Sequence, residues 1–168
     1  YLFAEKDGTE YRAITNAAYV SNPEQAASSV FSFPEKRSKK GLRIQMDSDA
    51  QLLGVSHTVI NVPINRFFTA NRSDEETISF LHAGKTYYLK QNQVELLDHS
   101  VRNYTKAGIN CILSVLLTAP EKDQDATLAC LYADGVSGDE ASLFAINTAN
   151  REALSYFEAF MEFLAERY

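Results

Sequence analysis

The chain has 168 residues, 45% of them hydrophobic and 23% charged, with a formal net charge of −6. That composition fits a folded domain, but the length falls short of the roughly 250 residues of a closed (β/α)8 barrel. Both charge signs are interspersed and the only basic cluster is KRSKK at 36–40, so no nucleic-acid partner is expected; no apolar run reaches the about 20 residues that span a bilayer, so no membrane insertion is expected either.

Residues 1–15 (YLFAEKDGTEYRAIT) place an Asp7-Gly8 turn between two short runs, which predicts a hairpin or the tail of a β-rich segment. Residues 16–40, with Asn22-Pro23, Phe33-Pro34 and many serines, read as an irregular strapping segment. Residues 1–40 thus form an amino-terminal segment and 41–168 a second region. GLRIQ at 41–45 alternates as a short strand. A short helix follows, capped by Asp47 or Ser48, with Ala50, Leu52 and Leu53 facing inward and Gly54 as its stop. TVINVPI at 58–64 is β-branched and predicts a strand, with Pro63 at its exit because proline cannot donate to a ladder. After a loop at 67–76, residues 77–89 have the form of an inserted hairpin turning through LHAGK.

The period of Val94, Leu97, Val101 and Tyr104 predicts a helix over 94–107, with Glu95/His99 and Asp98/Arg102 as surface pairs one turn apart and Gly108 as the stop. CILSVLL at 111–117 is nearly all apolar, as in a strand covered on both faces. Residues 119–143 read as a long loop. A last helix spans 151–168, capped by Thr148 or Asn150, with Leu154, Phe157, Met161 and Leu164 as its inner stripe. Helix, glycine and apolar strand therefore recur twice, which implies a parallel sheet. The third helix has no strand after it, and the sequence is expected to be the front part of something larger.

In parallel α/β folds ligands sit beyond the carboxyl ends of strands. Asn61, Asn65 and Thr118 fall at or near those ends, where a polar group must be solvated, paired or ligand-facing. For each of them a ligand contact stands beside structural pairing. Ser114 is expected as a buried hydroxyl bonded to backbone. His57, His82 and His99 lack ligand spacing, the acidic residues 123–140 lack the calcium-loop pattern, and no nucleotide-binding or nucleophile-elbow motif occurs, so neither metal nor cofactor is expected. Cys111 and Cys130 do not make a disulfide framework, although a bridge between them stays open. Asn71-Arg72-Ser73 and Asn103-Tyr104-Thr105 match the glycosylation acceptor pattern. Tyr87, Tyr88 and Tyr132 have faces suited to stacking on sugars, with hairpin packing as the alternative for the first two. Glycoside cleavage needs two facing carboxylates, and no predicted strand exit presents one.

KKGLRIQMDSDAQLLGVSHTVINVPIN, HAGKTYYLKQNQVELLD, AINT at 145–148, YFEAFMEFLAERY and the earlier AYVSNPEQAA together resemble an uncharacterised bacterial family related to (β/α)8-barrel glycoside hydrolases. The resemblance implies the amino-terminal portion of such a barrel, with 58–64 and 111–117 as its first two strands. It implies an acid/base glutamate after an asparagine at the end of strand four and a nucleophile closing strand seven, both beyond Tyr168. It also implies a carbohydrate partner, bound in part by Asn61, Asn65, Thr118 and Asn147, and an extracellular or cell-surface location. This chain departs from the family pattern at Thr118-Ala119-Pro120, where an Asn-Gly-Trp-like stretch is usual, and at Ile146, where the family has an aromatic. The expected function is a polysaccharide-cleaving glycoside hydrolase. Its alternatives are a non-catalytic barrel that binds glycan or a protein partner, and a complete small α/β domain.

Overall fold

The computed structural model describes residues 4–7, 10–13, 41–43, 49, 52–70, 76–122, 124–135 and 142–168. The chain divides into two units, Tyr1–Glu35 and Lys36–Tyr168. In the first, β1 (Ala4–Asp7) and β2 (Glu10–Ala13) form an antiparallel hairpin with Ala4 opposite Ala13 and Asp7 opposite Glu10. The strapping segment, the KRSKK cluster, the caps Asp47 and Ser48, Ala50 and the acceptor pattern at Asn71 lie outside the described residues.

The second unit is built on a mixed sheet that curls like half of a barrel, in the order β3 (Gly41–Leu42), β4 (His57–Pro63), β7 (Asn110–Thr118), β8 (Leu143–Phe144). β3, β4 and β7 run parallel; β8 joins the end of β7 antiparallel, with Leu117 opposite Phe144. Pro63 is the last residue of β4, paired with Leu116, and its φ of −72° leads directly into α1 (Ile64–Phe67). Ile64 therefore opens a short helix instead of ending the strand, because the fixed proline φ suits a helix start. A hairpin of β5 (Thr77–His82) and β6 (Lys85–Lys90) follows, turning through Ala83 and Gly84, both at positive φ. The helix α2 (Gln91–Lys106) then crosses back to the start of β7. Gly54 (φ 58°) and Gly108 (φ 72°) occupy the left-handed region at the expected stops.

Alternation along the paired strands gives the sheet two unlike faces. Ile60, Val62, Leu113, Val115 and Leu117 pack into a core with Phe67, Phe68, Leu89, Val94, Leu97 and Phe160. Rings meet edge-on there: Phe68 lies 4.9 Å from Tyr156 and 5.6 Å from Phe160. Val59, Asn61, Ile112, Ser114 and Leu116 occupy the opposite face and belong to neither buried cluster. Ile112 is 52% exposed, so β7 is not covered on both faces as its apolar run suggested.

Other expectations need correction. Leu52 and Leu53 face solvent rather than the core. The segment 119–143 is not loop throughout, because Ala126–Leu131 forms a 3₁₀ helix that inserts Leu128 and Leu131 into the core. The last helix, α3 (Arg151–Arg167), is capped by Asn150, whose Oδ1 accepts from the amides of Glu152 and Ala153. Its buried stripe is Ala153, Ala159, Phe160, Phe163 and Leu164, whereas Met161 is exposed. The stripe is rotated because α3 packs on the 3₁₀ helix and on β5, which draws Phe163 to 5.6 Å from Phe80. The surface pairs also differ: Glu95 accepts from Gln91, His99 meets Asn103, and Asp98 takes a two-pronged bond from Arg167 (2.8 and 2.6 Å) and another from Tyr168 Oη at 2.7 Å. Both cysteines are free thiols. Among the described residues no helix is long and apolar enough to cross a membrane.

Two outcomes follow from these contacts. Thr58 is buried at 1% exposure and its Oγ1 has no hydrogen-bond partner among the described residues. Replacing the hydroxyl by a methyl in Thr58→Val removes an unpaired polar atom and is expected to raise unfolding free energy by about 1 kcal/mol in denaturant melts; a loss of stability would contradict this reading. The hydrogen bond from Arg167 holds the Asp98 carboxyl below its ordinary range. A carboxyl depressed on folding stabilises above its unfolded pKa and loses that contribution as pH falls through the folded value. The stability gap between the wild type and Asp98→Asn should be open near neutral pH and close below about pH 4; a gap that does not change with pH would contradict the assignment.

Candidate functional site

The carboxyl ends of β4 and β7 are tied together by one side chain. Asn65, on α1, is 1% exposed. Its Oδ1 accepts from the Thr118 amide and from Thr118 Oγ1, both at 3.1 Å. Its Nδ2 donates to Gln124 Oε1 at 3.1 Å and to the Ala119 carbonyl at 3.4 Å. A carboxamide offers two donors and two acceptor positions, and all four are in use. Asn65 reaches β7 because Pro63 ends β4 and the single turn of α1 swings the next residues across the sheet's end.

The network continues from Thr118. Tyr132 Oη donates to the Thr118 carbonyl at 2.8 Å and lies 3.4 Å from Gln124 Oε1. Burial pushes the Tyr132 phenol above its ordinary range, which keeps the proton on the donor. Asn147 donates from Nδ2 to the Tyr132 carbonyl at 3.2 Å, and its own amide donates to Leu131 O at 2.9 Å. Thus three of the four residues picked from the sequence, Asn65, Thr118 and Asn147, belong to one hydrogen-bonded chain. That chain is internal.

Asn61 stands apart. It sits on the face of β4 away from the helices, half-buried, in register with Ser114 of β7. Neither side chain has a hydrogen-bond partner among the described residues, so the expected backbone bond of Ser114 is not formed. The two give a carboxamide and a hydroxyl side by side on an otherwise apolar strip of Val59, Ile112 and Leu116.

A charged rim surrounds the strand ends. Arg66 pairs with Glu121 at 3.3 Å, and Lys90 approaches the same carboxylate at 4.0 Å. Asp125 caps the 3₁₀ helix through Thr127 and accepts from the Ala70 amide. Burial opposes charge on Asp125, but these hydrogen bonds and the nearby Lys90 leave its carboxyl below the usual range. Gln124 and the capping role of Asp125 were missed in the sequence; the Asp125-Ala126-Thr127 spacing of a side-chain cap was the available signal. Of the tyrosines, Tyr87 is 2% exposed and meets Tyr156 edge-on at 5.1 Å, so packing is its role. The histidines are scattered: His57 meets Ser56, His82 meets Glu158 and Glu162, His99 meets Asn103. Among the described residues no group of three or more His, Cys, Asp or Glu is placed to hold a metal.

The clamp predicts an ordering of stabilities. Asn65→Ala leaves the Thr118 amide, the Ala119 carbonyl and Gln124 short of partners and should cost about 2–4 kcal/mol. Thr118→Val removes one donor and keeps the backbone bond, and should cost about 1 kcal/mol. Equal effects in urea melts would show that Asn65 does not act as a four-way clamp.

No curated protein and no solved structure matches the chain. A family model described as a family of unknown function (DUF5722) matches residues 32–168, well over half of the sequence. The chain belongs to that DUF5722 family.

Proposed function

We propose that this chain is the carbohydrate-facing front of a barrel protein of the glycoside hydrolase kind, acting on a polysaccharide outside the cell. The observation that carries the reading is Asn61. A half-buried carboxamide with no partner among the described residues is poised to bond something, and it lies on the face of the curled sheet turned away from the core, beside Ser114. Sugar hydroxyls both donate and accept, and an amide beside a hydroxyl matches them. In this reading Asn65, Thr118 and Asn147 hold the strand ends in place, and the acid/base carboxylates come from sequence beyond Tyr168.

A second reading is a barrel that binds glycan without cutting it. It is favoured by the carboxylates nearest the strand ends, which are engaged: Glu121 with Arg66 and Lys90, Asp125 with Thr127 and Ala70. One experiment separates the two. The intact protein is offered a panel of polysaccharides, and retention and release of reducing ends are measured together. Hydrolysis predicts release that falls at least roughly tenfold in Asn61→Ala, the loss of a hydrogen bond made in the transition state. Binding alone predicts retention, weakened in the same variant, with no release. Neither retention nor release across the panel would overturn both.

A further inference from the structure

We propose that the polar cleft between the start of β5 and the first turn of α2 is a saccharide subsite, with Glu76, Asn92 and Glu95 as its hydrogen-bonding groups; this rests on the carbohydrate reading and extends its site. The cleft has a volume of about 480 Å³, within the range of small-ligand sites. Its walls carry two carboxylates (Glu76, Glu95), two carboxamides (Gln91, Asn92), the Lys90 ammonium and threonine hydroxyls. Among the described residues no aromatic or large aliphatic side chain lines it, so an apolar ligand gains little there. Two carboxylates against one ammonium disfavour a polyanion. A neutral polyol suits this mixture, because each hydroxyl can donate to a carboxylate and accept from an amide or ammonium.

The internal bonds of the cleft leave capacity for a ligand. Gln91 Nε2 donates to Glu95 Oε1 at 2.7 Å, which uses one of the Glu95 oxygens. Lys90 leans toward Glu121 at 4.0 Å, too far for a hydrogen bond. The side chains of Glu76 and Asn92 have no partner among the described residues. The Gln91 amide donates to the Glu76 carbonyl at 2.9 Å, which fixes the two walls against each other.

Position supports the same conclusion. Val94 and Leu97, near the start of α2, pack in the cluster that holds Val62 and Leu117, whereas Tyr104, near its end, packs with Ile109 and Cys111. The helix therefore runs opposite to the strands, and its first turn lies on the carboxyl side of the sheet. That is the side on which parallel α/β folds bind ligands. Lys90 touches both the cleft and, through Glu121, the charged rim of the strand ends.

The test is an NMR titration of the full chain with cellohexaose, xylohexaose and maltohexaose, repeated on Asn92→Ala, Glu95→Ala and Asn61→Ala. Asn92 is exposed, so its truncation leaves the core intact. The expected result is that at least one hexasaccharide shifts the amides of Thr77, Gln91, Asn92 and Glu95, and that Asn92→Ala and Glu95→Ala each weaken binding by roughly tenfold, one hydrogen bond's worth. If a saccharide binds and Asn61→Ala weakens it while the cleft amides stay still and Asn92→Ala is neutral, the subsite is wrong and the site at Asn61 stands. If the cleft responds and Asn61→Ala is neutral, the subsite stands and the role of Asn61 falls. If none of the saccharides binds the wild type, both are overturned.

Discussion

The bonds made by the Asn65 carboxamide are the constraint on which the rest of the second unit depends. The β4–β7 ladder ends at Pro63 and Leu116, and the segments that leave the two strands diverge into a hairpin on one side and a 3₁₀ helix on the other. Asn65 bonds the Thr118 backbone, the Thr118 hydroxyl, the Ala119 carbonyl and Gln124 at once. Buried at 1% exposure, it cannot exchange these partners for water. From this point Thr118 holds Tyr132, and Tyr132 holds Asn147, three residues before the cap of α3. The aromatic core below then has fixed walls to fill.

This arrangement divides the polar residues near the strand ends into two kinds. Asn65, Thr118, Gln124, Tyr132 and Asn147 satisfy one another and are positioning residues. Asn61 and Ser114 point the other way, onto the sheet face that α2 and α3 leave bare. The Asn61 and Ser114 side chains thus stand on strands whose ends the Asn65 bonds hold together. The polar cleft at the start of α2 lies on the same side of the sheet as those ends, within reach of the Glu121 rim through Lys90.

Much of the scaffold was legible in the sequence because it is written in local chemistry. Gly54 and Gly108 mark real left-handed stops, Pro63 marks a real strand exit, and Ala83-Gly84 closes a real hairpin. What was not legible depends on distant partners. The face that α3 buries is set by Phe80 and by the 3₁₀ helix, so the stripe centred on Phe160 could not be told from one including Met161 by period alone. Leu128 and Leu131 lie in a stretch whose Asp, Gly and Ala content reads as loop, yet they reach the core. At the strand ends, the sequence singled out Asn61, Asn65 and Asn147 but could not tell which of them bond internally. Whether an amide at a strand end clamps or stays open is decided by what stands opposite it, and Thr118 is 53 residues from Asn65.

The division between a clamping and an open amide is most directly tested by hydrogen exchange of the two side-chain carboxamides, followed by NMR. The Asn65 NH2 protons, bonded to Gln124 and Ala119 and shielded from water, should exchange orders of magnitude more slowly than those of Asn61. Slow exchange at Asn65 with fast exchange at Asn61 would uphold the account. Comparable rates at both, or protection at Asn61 instead, would contradict it.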